Sequence, residues 1–227
     1  MWKFGVRVKI PQAKKRNFAE HRGSFYSDPK YFGYICAPHI TLAPGMALKA
    51  TIYKAELQLS DMDRGYYATH SLVLALHPSE TEERLMLRVL AFALNANDEL
   101  MIGKGISSEE PDLWRHDLTG QIVQWMEIGQ PDEQLLRRAA GRAREVIVYQ
   151  PATRGAAVWW EKNATALLRI PNLKLFQVAA TACDALAQLA NRNMQLQCLV
   201  QDGVVQVMTD TASVQLELHQ LVPEIAQ

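Results

Sequence analysis

Two carboxylates, Asp117 and Glu127, bracket the stretch DLTGQIVQWME. Glu127 ends an apolar run of Ile, Val, Trp and Met, and a buried carboxylate is costly unless something pairs with it. The partner is an internal cation, solvent at a sheet edge, or a metal ion. A turn at Leu118-Thr119-Gly120 would fold the chain back and bring Asp117 towards Glu127 at one strand end. Two close carboxylates share a proton or a cation. Mg²⁺, or Mn²⁺ in its place, suits such a pair, because it takes hard oxygen ligands and keeps most of its water. An ion held by Asp117 and Glu127 could activate water against a phosphodiester.

A third acid, Glu83, stands at the head of an apolar helix face that continues through Met86, Leu87 and Leu90. Each of these residues also has a plainer role. Asp117 caps amides of its own turn. Glu127 pairs with an arginine of the next helix. Glu83 complements a helix dipole, Gln130 is a helix cap, and Asp112 in Glu110-Pro111-Asp112 is a turn acid.

The elements that must position these groups are legible from pattern. KATIYKAELQLSD and YYATHSLVLALH alternate like paired strands around Asp63-Arg64-Gly65, a hairpin. Ser79 followed by Glu82 reads as a capping box that opens a helix to about Asn97. Short strands are expected near 100–106 and 113–117. QIVQWMEI is then a strand, a helix over 131–144 starts at Pro131-Asp132-Glu133, and EVIVYQ is an apolar strand, together a βαβ unit. AAVWWEKNATALLRI and TACDALAQLANR are helical and NLKLFQVA is a strand. MQLQCLVQD-G-VVQVMTD and SVQLELHQL close the chain as antiparallel strands turned at Asp202-Gly203. The class is α/β with a mixed β-sheet and flanking helices, carrying a hairpin at each end.

The bulk numbers exclude several classes. Formal net charge is zero over 227 residues, with 48% hydrophobic and 21% charged residues. Residues 1–45 hold eight Lys/Arg against two Asp/Glu, which leaves sixteen against twenty-two in the remainder. Residues 1–45 therefore read as a basic N-terminal extension, disordered or an over-called start, and 46–227 as a single domain. Three scattered cysteines form no disulfide framework and suit a reducing cytoplasm. No stretch has the length of a membrane span. P-loop, GxGxxG and GxSxG signatures are missing.

The blocks HPSETEERLMLRVLA, EEPDLWRHDLTG, QWMEIGQPDEQLLRRAAGRAREVIVY and AAVWWEKN together resemble the YaeQ family of small bacterial proteins. The resemblance runs from about residue 46 to the end. It implies a variant of the PD-(D/E)XK restriction-endonuclease-like core, with Asp117 (or Asp112) as first acid, Glu127 as second and Glu83 as helix acid. Gly129 stands where that superfamily has a lysine. Gln130 could order water in its place, with Arg137, Arg138 or Lys104 supplying charge. Two functions follow as expectations. One is a Mg²⁺-dependent nuclease acting on DNA or RNA through Asp117, Glu127, Glu83 and Gln130. The other is a non-catalytic protein that binds nucleic acid or a protein partner near transcription. A phosphoesterase acting on small molecules is the remaining chemistry.

Overall fold

The structure, a computed structural model, describes residues 50–103 and 110–223. The extension assigned to residues 1–45 and the candidate Lys104 lie outside the described residues. Strand β1 (Thr51–Asp61) and strand β2 (Tyr66–Leu76) form the expected hairpin, with Thr51 opposite Leu76 and Gly65 in the left-handed region at φ +64°. Helix α1 follows (Glu82–Asn95). Its cap is Thr81, whose hydroxyl accepts from the Arg84 N–H, rather than Ser79. Ser79 is bonded to His77 Nδ1, and Glu82 accepts from the Tyr53 hydroxyl, so the expected capping box does not form. Leu85 to Ala93 are all buried, so α1 is a core helix on every side.

Strand β3 (Leu100–Ile102), strand β4 (Leu113–His116) and strand β5 (Ile122–Ile128) run antiparallel in turn. Helix α2 (Glu133–Arg142) crosses to strand β6 (Ala143–Ala152), which is parallel to β5. Helix α3 (Arg154–Leu167) crosses again to the parallel strand β7 (Leu173–Ala179). Helix α4 (Ala180–Gln188) leads to strands β8 (Asn193–Gln201), β9 (Val204–Met208) and β10 (Ser213–Val222). The β8–β9 turn has Asp202 and Gly203 both at positive φ, as the Asp-Gly signal requires.

The result is one mixed ten-stranded sheet in the order β2-β1-β8-β9-β10-β7-β6-β5-β4-β3. Strand β8 pairs parallel with β1 and so ties the C-terminal strands to the N-terminal hairpin. Strand β10 joins the two halves, pairing with β9 through Ser213–Glu217 and with β7 through Leu218–Val222. Strand β6 is buried on both faces, as a central parallel strand must be. Ile147 and Tyr149 enter the large core around α1, and Val146 and Val148 enter a second core with residues of α2. Among the described residues no helix is long and apolar enough to cross a membrane.

Candidate functional site

The carboxyl end of β5 is where the acids gather. The register Leu113↔Met126 carries Asp112 to the level of Glu127, while His116 pairs with Ile122 at the other end of the hairpin. Asp117 therefore lies level with Gln121, whose carbonyl accepts its N–H. That is six residues and about 20 Å along the strand from Glu127. The turn that was to bring Asp117 and Glu127 together keeps them apart, and the acid beside Glu127 is Asp112. Asp117 does what a turn acid does. Its Oδ1 accepts from the Thr119 and Gln121 amides at 2.9 and 3.0 Å, and its Oδ2 from Arg144 at 2.8 Å. The Thr119 hydroxyl bond, the two amides and Arg144 together hold its pKa below the usual value.

Glu127 is only 8% exposed. No arginine of α2 pairs with it. Trp125 Nε1 donates to its Oε1 at 2.8 Å, the one hydrogen bond found for this carboxylate among the described residues. Burial first, and the neighbouring Asp112 second, push its pKa up to about 7. At neutral pH the group is poised between acid and base.

Asp112 is 4% exposed and fully engaged. Arg84 approaches it bidentately, Nη1 to Oδ1 at 2.9 Å and Nη2 to Oδ2 at 2.7 Å. Arg88 Nε adds a bond to Oδ1 at 3.2 Å, and the Ile128 N–H one to Oδ2 at 2.8 Å. Glu80 Oε1 accepts from both guanidiniums, at 2.7 and 2.6 Å. Burial still raises the Asp112 pKa overall, against the pull of the two arginines. Arg88 is 1% exposed, a charge that the core admits only because two carboxylates meet it.

Above these acids opens a cleft of about 440 Å³. Glu83 and Arg84 from α1, Glu127 and Gly129 from the end of β5, and Gln130 and Leu135 at the start of α2 line it. Three of the four expected site residues, Glu83, Glu127 and Gln130, thus share one cleft. Burial, and then Asp184, raise the pKa of Glu83. Gly129 has φ +92° while its N–H still bonds the Tyr149 carbonyl. A lysine there would be strained by the backbone alone. Of the proposed substitutes, Arg137 points to its own helix neighbour Glu133. The cation that does line the cleft is Arg84. Its signal was the ladder Glu80, Arg84, Arg88 at four-residue spacing, with Arg88 inside an otherwise apolar run.

A further polar group sits at this edge. Gln150 is the next residue along β6 on the face of Val148, the register partner of Glu127. It is 0% exposed, and neither amide atom has a hydrogen-bond partner among the described residues. Such a group calls for water or a ligand. Among the described residues no cluster of three or more His, Cys, Asp or Glu is spaced to hold a metal ion. A cation here would rest on Glu127 and water, because each Asp112 oxygen already accepts two hydrogen bonds.

This combination of strand order, cleft and acids can be set beside known proteins. A sequence model described as YaeQ protein matches residues 46–218. The chain belongs to the YaeQ family. The YaeQ protein of Escherichia coli (strain K12), described as uncharacterized, is 38% identical over 175 residues, covering 76% of this chain and 96% of that one. The YaeQ protein of Salmonella typhi is 37% identical over the same length. The crystal structure of YaeQ protein from Xanthomonas axonopodis pv. citri is 48% identical with a TM-score of 0.73, covering 76% of this chain and 98% of that one. That of the Pseudomonas syringae YaeQ protein gives 32% and 0.73, covering 77% and 97%. The YaeQ-matched segment contains every residue of the cleft.

Proposed function

We propose that the cleft is the active site of a Mg²⁺-dependent phosphodiester hydrolase, a nuclease, and that α1-β3-β4-β5-α2-β6 is a PD-(D/E)XK core. The observation that carries this reading is Glu127: a buried carboxylate, beside a second one, held near neutrality at the mouth of an open cleft. A fold gains no stability from that arrangement, and perturbed acids in clefts mark functional sites. Asp112 replaces Asp117 as the first acid. Mg²⁺ commonly binds through one or two carboxylates and keeps its remaining waters. Here Glu127 would supply the direct ligand through its second oxygen, and Asp112, whose oxygens each accept two hydrogen bonds, would add negative charge beside it. When bound, the ion would neutralise phosphate charge and lower the pKa of water. Glu127 would hold the ion and orient the attacking water through its uncommitted oxygen. Arg84 positions Asp112 and presents its guanidinium edge to the cleft, the charge that a lysine at position 129 would have supplied. Gln130, exposed at the rim, orders water or substrate.

The test is calorimetric titration of Mg²⁺ and Mn²⁺ into the wild type and into Glu127→Gln, Asp112→Asn and Asp117→Asn, beside a cleavage assay on DNA and RNA. Binding and cleavage should vanish in the first two variants and survive in the third. Activity that persists in Glu127→Gln would remove the proposal.

The arginine clamp favours a second reading. Both Asp112 oxygens are taken by Arg84, Arg88 and the Ile128 amide, which leaves Glu127 the only carboxylate of the pair with an uncommitted oxygen. On this reading the cleft binds nucleic acid or a protein partner without cutting. Binding that is unaffected by EDTA, with no cleavage under any metal, would select it.

A further inference from the structure

Helix α2 borders two openings. Pro131, just before the helix, and Leu135 in its first turn border the cleft, and its last turns wall a separate groove of about 600 Å³. Arg137 and Arg169 stand on the two sides of that groove, and Ala140, Gly141 and Ala166 line it between them. One position round the helix from Arg137 and Gly141 stand Arg138 and Arg142, both exposed. Arg137 pairs with Glu133, and Arg144 just beyond pairs with Asp117. Arg138, Arg142 and Arg169 make no ion pair among the described residues. Arg142 lies over the Trp125 ring at 5.6 Å.

Helix-dipole chemistry accounts for one cation at the end of α2. It does not account for Arg138 and Arg142 at i,i+4, where like charges repel. Gly141 is a second, independent anomaly. Its backbone is not left-handed and a Cβ would meet no atom within 4 Å. The fold places no demand for glycine there, and glycine inside a helix is less stable than alanine. A glycine between arginines leaves room for a bulky chain to lie close against the helix.

We propose that this groove holds the phosphodiester backbone of a nucleic acid strand that runs along α2 into the cleft. Guanidinium groups fit phosphate oxygens bidentately. Leu135 and Gly141 are six residues apart, about 9 Å along the axis and about 120° round it, so a strand joining both sites crosses the exposed arc of α2 that carries Arg138 and Arg142. The proposal deepens the nuclease reading and rests on its nucleic-acid partner, not on its chemistry.

Fluorescence anisotropy of labelled DNA and RNA strands on the full chain tests it across a salt series. The wild type should bind, with log affinity falling linearly in log salt. The triple variant Arg138→Ala/Arg142→Ala/Arg169→Ala should lose about tenfold or more in affinity at low salt, and its salt slope should shrink by about 2 to 3. Gly141→Glu, which fits the fold and fills the groove with negative charge, should lose a similar factor while melting no lower than the wild type. Wild-type affinity in both variants, no binding by the wild type, or preferential capture of polyglutamate would overturn the assignment. Glu127→Gln separates the two ideas. Binding kept with cleavage lost upholds both. Binding lost in the groove variants with no cleavage by any protein upholds the groove and sinks the nuclease.

Discussion

The two ends of the β4–β5 hairpin carry the same residue type to opposite ends. At the turn, Asp117 meets solvent, two amides, a hydroxyl and Arg144, and its pKa falls. At the other end Asp112 and Glu127 are buried side by side, and both pKa values rise even though two arginines reach Asp112. Chemistry is thus assigned by place rather than by residue. Asp117 and Asp112 are both satisfied by hydrogen bonds, whereas Glu127, denied water, set beside a like charge and holding one bond, is the acid available to a proton or an ion.

The contrast can be broken most strongly at Arg88. Arg88→Met removes one of two cations from a buried cluster and leaves Asp112 and Glu80 short of charge. A loss of about 3 kcal/mol is expected, which is a fall of about 6–12 °C in Tm for a domain of this size. A thermal melt that moves little would mean that Arg84 alone satisfies both acids.

Next in size is Glu127→Gln, with the opposite sign. The folded pKa of Glu127 is raised from 4.5 to about 7, so the folded state holds the proton more tightly than the unfolded chain. Relative to a neutral residue, wild type loses nothing below pH 4.5 and progressively loses stability up to pH 7. The Gln variant should therefore melt with the wild type in acid and be more stable at pH 8 by up to about 3 kcal/mol, in buffer containing EDTA. The glutamine oxygen can still accept from Trp125, so packing is preserved. Equal melting at both pH values would deny the perturbed carboxylate.

The smallest effect belongs to Asp117→Ala. Its lowered pKa contributes stability above the unfolded value, lost as pH falls through the folded one. The variant should melt slightly below the wild type at pH 7 and with it in strong acid, the reverse of Glu127→Gln. Metal binding and cleavage should be unchanged. A loss of metal binding in this variant would return Asp117 to the site.

Much of this molecule is decided by neighbours in the chain. Alternation and Gly65 specify the first hairpin and Asp202-Gly203 the last; α2 opens at Glu133, with Asp132 capping the Gln134 amide, so Pro131 precedes the helix instead of starting it. An apolar run was enough to place Glu127 out of water, and the face of α1 to bring Glu83 into the same cleft. What could not be read locally is which acid Glu127 meets. Asp117 is nearer in sequence, but an antiparallel register moves residues beyond the turn steadily apart along the strand and returns Asp112 to the top. The clamp on Asp112 joins residues 24 and 28 positions apart, and the groove beside α2 depends on where α3 comes to rest. Periodicity encodes which face of an element is buried. It does not encode what lies across from that face, because register and helix docking are settled by the packing of the whole core.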